Sequence, residues 1–210
     1  MLKAILFDLD GTLINSEDYY MKSMVKIAKS LGADAKESDF HICIGKDMDE
    51  TYRIFEDFVK KPKDTWIKQY NDYFSKVDPI NFKELLFDDV IDTLKGIKEK
   101  GIKVGICSMS PTSYIEKCVK ECGFDEYVDY YISGETCKNN KPAPDIYLKA
   151  LNDLNLKADE ALVVEDATTG LLSAKTAGIK VVARDDSRFN VDQSLAFKVF
   201  KDLRKLLTII

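Results

Sequence analysis

Ala4-Ile5-Leu6-Phe7-Asp8-Leu9-Asp10-Gly11-Thr12 is the stretch on which the reading of this chain turns. Its first four residues form an apolar run too short for a helix, which predicts a strand buried on both faces. Asp8 to Thr12 follow as a loop. Two carboxylates two residues apart leave an extended segment on the same side. Gly11 lets the backbone turn sharply and lie close to a ligand. A calcium loop is one rival reading of the Asp-x-Asp-Gly string. It fails because that loop needs its glycine at position six, after a third acidic or amide ligand. Alone, the acid pair could equally be solvated turn residues; a buried strand in front of it makes it a site candidate.

Downstream, the pattern is first helical. Ser16 is expected to cap a helix carrying Met21, Met24, Val25, Ala28 and Leu31, with Gly32 ending it. A second helix is expected over Met48 to Val59, and a third from about Asp64, using Trp66, Ile67, Tyr70 and Phe74. No strong strand run interrupts them, so they read as an inserted helical domain. After Asp78-Pro79 the pattern alternates. Strands are expected at Ile102 to Cys107, Tyr130 to Ser133, Leu162 to Val164 and Ile179 to Ala183. Helices are expected from Val90 to a stop at Gly101, and over Ser113 to Cys122, Asp145 to Leu154 and Leu171 to Ala177. Alternation of this kind implies crossovers and a parallel sheet. The fold class is therefore α/β, a Rossmann-like parallel sheet core with an inserted α-helical cap domain. The core takes residues 1–14 and 84–210, the cap 15–83.

In parallel sheets the ligand crevice lies at the carboxyl ends of the strands. Four polar clusters follow expected strands: Asp8/Asp10, Ser108, Lys141 and Glu165/Asp166. All four are expected to meet at one edge of the sheet. Ser110 is expected to cap a helix whose first turn holds Pro111, which puts the Ser108 hydroxyl and a helix N-terminus at that edge.

These strings, in this order, resemble the haloacid dehalogenase superfamily of aspartate-nucleophile phosphatases and phosphomutases, and in particular its beta-phosphoglucomutase-like branch. Asp8-Leu9-Asp10-Gly11-Thr12 is similar to the family's first motif. Ser108, closing Val104-Gly105-Ile106-Cys107-Ser108, is similar to the second. Lys141 in Lys141-Pro142-Ala143-Pro144-Asp145-Ile146-Tyr147 is similar to the third, and Glu165-Asp166 in Val163-Val164-Glu165-Asp166-Ala167-Thr168-Thr169-Gly170 to the fourth. The resemblance implies Asp8 as nucleophile, forming a phospho-aspartate. It implies Asp10 as general acid and then base, with Ser108 and Lys141 completing the catalytic set. It implies Mg2+ held by Asp8, the backbone carbonyl of Asp10, and Asp166, with Glu165 ligating directly or through water. Leu9, Met109, Tyr20 and Lys46 are candidate substrate contacts.

The chain departs from the mutase pattern in the cap. Tyr20 stands where those enzymes carry a gating histidine, and Gly45-Lys46-Asp47-Met48-Asp49 replaces the stretch holding a phosphate-gripping arginine. Lysine lacks the bidentate fork of arginine. The expectation is therefore a phosphatase acting on a small phosphorylated metabolite, with a mutase or a non-catalytic phosphate-binding protein as alternatives.

The bulk properties agree. The chain has 210 residues, 45% hydrophobic and 32% charged, with net charge -5. A nucleic-acid or anionic-membrane partner would favour a basic chain, so neither is expected. No apolar run is long enough to span a membrane, and no signal-peptide pattern is present. The expected location is cytoplasmic, as a monomer or weak homodimer. Five cysteines without a secretion signal read as free thiols. Cys118 and Cys122 read as buried thiols in preference to a metal pair, and His41, the only histidine, as structural or solvated.

Overall fold

The computed structural model describes residues 1–46, 48–77, 79–185, 188–189 and 191–210. In chain order its elements are β1 (Ala4–Phe7), α1 (Ser16–Ser30), α2 (Met48–Val59), α3 (Lys63–Asp72), α4 (Phe82–Leu85), α5 (Val90–Glu99), β2 (Lys103–Ser108), α6 (Thr112–Cys122), β3 (Tyr130–Ser133), α7 (Asp145–Leu154), β4 (Ala161–Glu165), α8 (Thr168–Thr176), β5 (Lys180–Arg184) and β6 (Val199–Phe200). Short 3-10 turns supplement them at Glu37–Cys43 and Leu203–Thr208.

The chain divides into two compact units, one of Met1–Asn15 with Phe82–Ile210, the other of Ser16–Asn81. Asp47, within the cap stretch singled out in the sequence, lies outside the described residues.

In the first unit the six strands form one parallel sheet in the order β3-β2-β1-β4-β5-β6. This is the α/β, Rossmann-like fold expected. β1 is central and wholly buried, as its unbroken apolar run requires. The chain winds outward to β3, then returns to the other side of β1 with β4. The reversal puts a topological switch point between β1 and β4, where such sheets bind ligands. Leu6, Cys107, Ile132, Tyr147, Val163, Leu171 and Val181 pack into one core cluster.

The second unit is helical. Met24, Phe40, Phe55, Trp66 and Tyr70 form its core. The aromatic rings meet mostly edge-on, Phe55 lying 4.8 Å from Trp66 and 5.5 Å from Tyr70 between centroids. Trp66 is fully buried, yet its indole N–H donates to the Lys61 carbonyl at 3.0 Å, so no polar atom is stranded.

Ser16 departs from expectation. It is the first residue of α1 and not its cap. Its hydroxyl is buried and, among the described residues, lacks a hydrogen-bond partner. Four elements carry weak sequence signals and are not anticipated by them: α4, the two-residue strand β6, and the 3-10 turns Glu37–Cys43 and Leu203–Thr208. The last of these buries Leu203 and Leu206 completely.

Candidate active site

The ends of β1 and β4 are tied together first by backbone. The Asp8 N–H donates to the Val164 carbonyl at 2.9 Å. Asp8 and Asp166 are each 8% exposed and Glu165 is 1% exposed. One carboxylate oxygen from each of the three lies within 4.8 Å of the others. Among the described residues, this is the group able to hold a metal ion.

Lys141 is brought to this cluster by the loop before α7. Its ammonium donates to Asp8 Oδ1 at 2.5 Å, Glu165 Oε1 at 2.7 Å and the Cys107 carbonyl at 2.9 Å. Burial works to discharge the ammonium, but Asp8 and Glu165 outweigh it and hold it charged above its ordinary range. Burial raises the Asp8 carboxyl well above the usual carboxylate range. Lys141 opposes that rise, and the charges of Glu165 and Asp166 reinforce it. Three carboxyl groups stand against one ammonium here, with little solvent exposure among them. An all-oxygen, acid-rich donor set suits a hard divalent cation, so the residues present fit such an ion.

Two glycines make room for these acids. Gly11 has φ +76°, and a Cβ there would collide with the Asp166 carboxylate. A Cβ on Gly170 would collide with the carboxylate of Glu165. Thr12 Oγ1 donates to Asp166 Oδ1 at 3.2 Å, and Gln193 bridges the carbonyls of Asp166 and Arg184, both at 2.7 Å. The Tyr147 hydroxyl donates to Glu165 Oε1 at 2.8 Å. Burial raises that phenol well above its ordinary range, with Glu165 adding to the effect.

Asp10 stands apart from the acidic cluster. Ser110 Oγ donates to its Oδ2 and the Tyr114 hydroxyl to its Oδ1, both at 2.7 Å. Ser110 was expected to cap α6, with Pro111 in the first turn. Pro111 instead holds the N-cap position, and the Glu135 carboxylate accepts the Thr112 N–H at 2.9 Å. The helix end is thus satisfied from β3's side of the sheet. The expected helix N-terminal donor at the anion site is taken at Thr112. Ser108 is buried, its Oγ accepting the Ser110 N–H at 3.0 Å.

The side chain of Leu9 is fully buried and that of Met109 packs on Gly134, so any substrate contact by Leu9 runs through its main chain. Tyr20 and Lys46 belong to the helical unit. Tyr20 lies 5.6 Å from Phe74 between ring centroids, and Lys46 pairs with Glu50 at 3.4 Å. The sequence gives no role to Tyr114 or to Ser110 as an Asp10 partner, and Tyr147 and Gly170 stand in the third and fourth motif strings without an assigned role. Ser110 lies before the Pro111 cap and Tyr114 in the first turn of α6, so helical spacing does not announce their meeting at Asp10. The Cys118 and Cys122 sulfurs are 3.9 Å apart on α6, and both thiols are buried and free.

A buried acid after the first strand, a lysine against it and further acids on the adjacent strand, all at a switch point, are the arrangement of a class of α/β hydrolases. The sequence profile described as haloacid dehalogenase-like hydrolase matches residues 5–184. The chain belongs to that family. It is 34% identical over 86% of its length to a candidate pyrophosphatase, PpaX, from Clostridium perfringens, covering 82% of that protein. It is 28% identical over 85% of its length to the phosphorylated carbohydrates phosphatase of Thermotoga maritima, covering 83% of it. The solved structure of a beta-phosphoglucomutase from Clostridium difficile superposes with a TM-score of 0.77 at 23% identity, over 98% of this chain and 93% of that one, which speaks to the fold. The chain is a phosphatase of the haloacid dehalogenase-like family, acting on phosphorylated substrates.

Proposed function

We propose that this protein is a magnesium-dependent phosphatase that hydrolyses a small phosphomonoester, such as a sugar phosphate, through a phosphorylated Asp8. The observation that carries the reading is the Lys141 ammonium bridging Asp8 and Glu165 beside Asp166.

Lys141 holds one oxygen of Asp8, which leaves the second to attack phosphorus. As that bond forms, the ester P–O bond breaks, and Asp10 passes its proton to the departing alkoxide oxygen. Water then attacks the phosphoryl group, Asp10 takes the water's proton, and the Asp8–phosphorus bond breaks to release phosphate. Ser108 and Lys141 bind the phosphoryl oxygens. Asp8, the Asp10 carbonyl and Asp166 would hold the magnesium ion, with Glu165 beside them. Bound there, the ion would neutralise charge on the carboxylates and the phosphoryl group. The helical unit, as a cap domain, supplies substrate selectivity, with Tyr20 and Lys46 as its candidates.

The test is phosphate release from p-nitrophenyl phosphate with magnesium. Turnover is expected to disappear in excess chelator and return with the ion. Asp8→Asn is expected to lower it by about four orders of magnitude or more while the melting temperature is retained. Wild-type rates in that variant would eliminate Asp8 as nucleophile. A panel of phosphorylated metabolites, with pyrophosphate included on account of the Clostridium relative, ranks substrates by kcat/KM. Efficient conversion of beta-glucose 1-phosphate to the 6-phosphate would favour the mutase reading instead.

A further inference from the structure

Asp10 must keep one position through two proton transfers in opposite directions. Its carboxylate is gripped at both oxygens, by Ser110 on one side and Tyr114 on the other. Tyr114 is not a loop residue that happens to be near. It sits in the first turn of α6, where its own N–H bonds to the Pro111 carbonyl at 2.9 Å. Its ring meets Phe82 edge-on at 4.8 Å between centroids. Phe82 is fully buried and is the first residue of the α/β unit after the chain returns from the helical one. The phenol is therefore backed by helix on one side and a buried ring on another. A hydroxyl so mounted has little freedom to follow a wandering carboxylate; the carboxylate instead takes the position the hydroxyl sets.

We propose that Tyr114 is the positioning residue for Asp10, fixing the carboxyl so that its proton is delivered to the leaving-group oxygen. The inference rests on the phosphatase reading above. It makes a demand that a purely structural tyrosine would not. A leaving group that departs as a stable anion has little use for a proton. One that departs as a basic oxyanion needs it in the transition state.

The experiment compares wild type and Tyr114→Phe on p-nitrophenyl phosphate and phenyl phosphate, with magnesium. The two esters share shape and charge but differ in leaving-group basicity. The quantity read is kcat/KM, which reports steps up to departure of the first product. The hydrolysis of phospho-Asp8 is common to both esters and drops out. Tyr114→Phe keeps the ring that packs on Phe82 and removes only the hydroxyl. The variant is expected to lose about tenfold more kcat/KM on phenyl phosphate than on p-nitrophenyl phosphate, giving a steeper dependence on leaving-group basicity. Equal losses on both esters, or no loss on either, would overturn the positioning role and leave the phosphatase reading standing. Absence of turnover by the wild-type chain on both would overturn the parent reading, and this proposal with it.

Discussion

Cys43 lies in the helical unit with 8% of its surface exposed. Burial, helped by the Glu17 carboxylate, pushes its thiol up to about 11 from an ordinary value of 9.0. A raised thiol pKa favours the neutral form in the native protein. Any stability it contributes is present below pH 9.0 and is lost as pH rises through about 11. Since only the thiolate alkylates, native Cys43 is expected to react with iodoacetamide far more slowly than the same residue in urea at about pH 9. Mass spectrometry of the peptide checks this, and equal rates would refute it. At this scale the acids and Lys141 stand out in the sequence because each lies in a distinctive string, the acids at or just after a strand end and Lys141 in the loop before α7. The sequence did not announce Tyr147 or Tyr114 as partners. A tyrosine's value to Glu165 or Asp10 depends on which way a helix is turned against the sheet, and that is settled by packing elsewhere. Ser110 was read as a cap because serine before proline usually is one; Glu135, distant in sequence, had taken that task.

One ion pair joins several elements. Arg184, the last residue of β5, donates to Asp89 Oδ1 at 2.7 Å and to the Thr12 carbonyl at 2.7 Å. Asp89 precedes α5, and its other oxygen accepts the Leu203 N–H at 2.6 Å. Both side chains are almost fully buried. The pair thus fastens the loop after β1, the start of α5 and the C-terminal turn to one strand end. Removing one partner strands a buried charge, so Asp89→Ala is expected to cost about 3–5 kcal/mol in urea unfolding. A loss below about 1 kcal/mol, the worth of an exposed pair, would mean that solvent reaches the guanidinium. Sequence patterning placed most sheet strands and helices within a residue or two, because strands buried on both faces and amphipathic helices carry strong periodic signals. α8 begins at Thr168, three residues ahead of the apolar stretch from Leu171 that predicted it. Its first turn is polar and brings Gly170 against the Glu165 carboxylate, which periodicity cannot register. β6, two residues long, holds its place through pairing with β5 and has no pattern of its own to read.

For the molecule as a whole, the proposed ion at the switch point would link cation binding to folding. An ion that binds the folded chain alone stabilises it, by about 2.7 kcal/mol at a hundredfold excess over Kd. Magnesium is therefore expected to raise the Tm, by about 2–4 °C for each kcal/mol, and Asp166→Ala to abolish the increment. A Tm indifferent to magnesium in the wild-type chain would contradict the ion's assignment to these acids. The two crossings between units show a further feature. The Asn15 N–H donates to the Leu85 carbonyl at 2.6 Å, the Phe87 N–H to the Leu13 carbonyl at 3.4 Å, and Ile14 bridges Leu86. The outgoing and returning threads are stitched side by side within the first unit. An insert whose two ends emerge from one seam behaves as a cassette: it can be lengthened, shortened or traded without shifting any strand of its host.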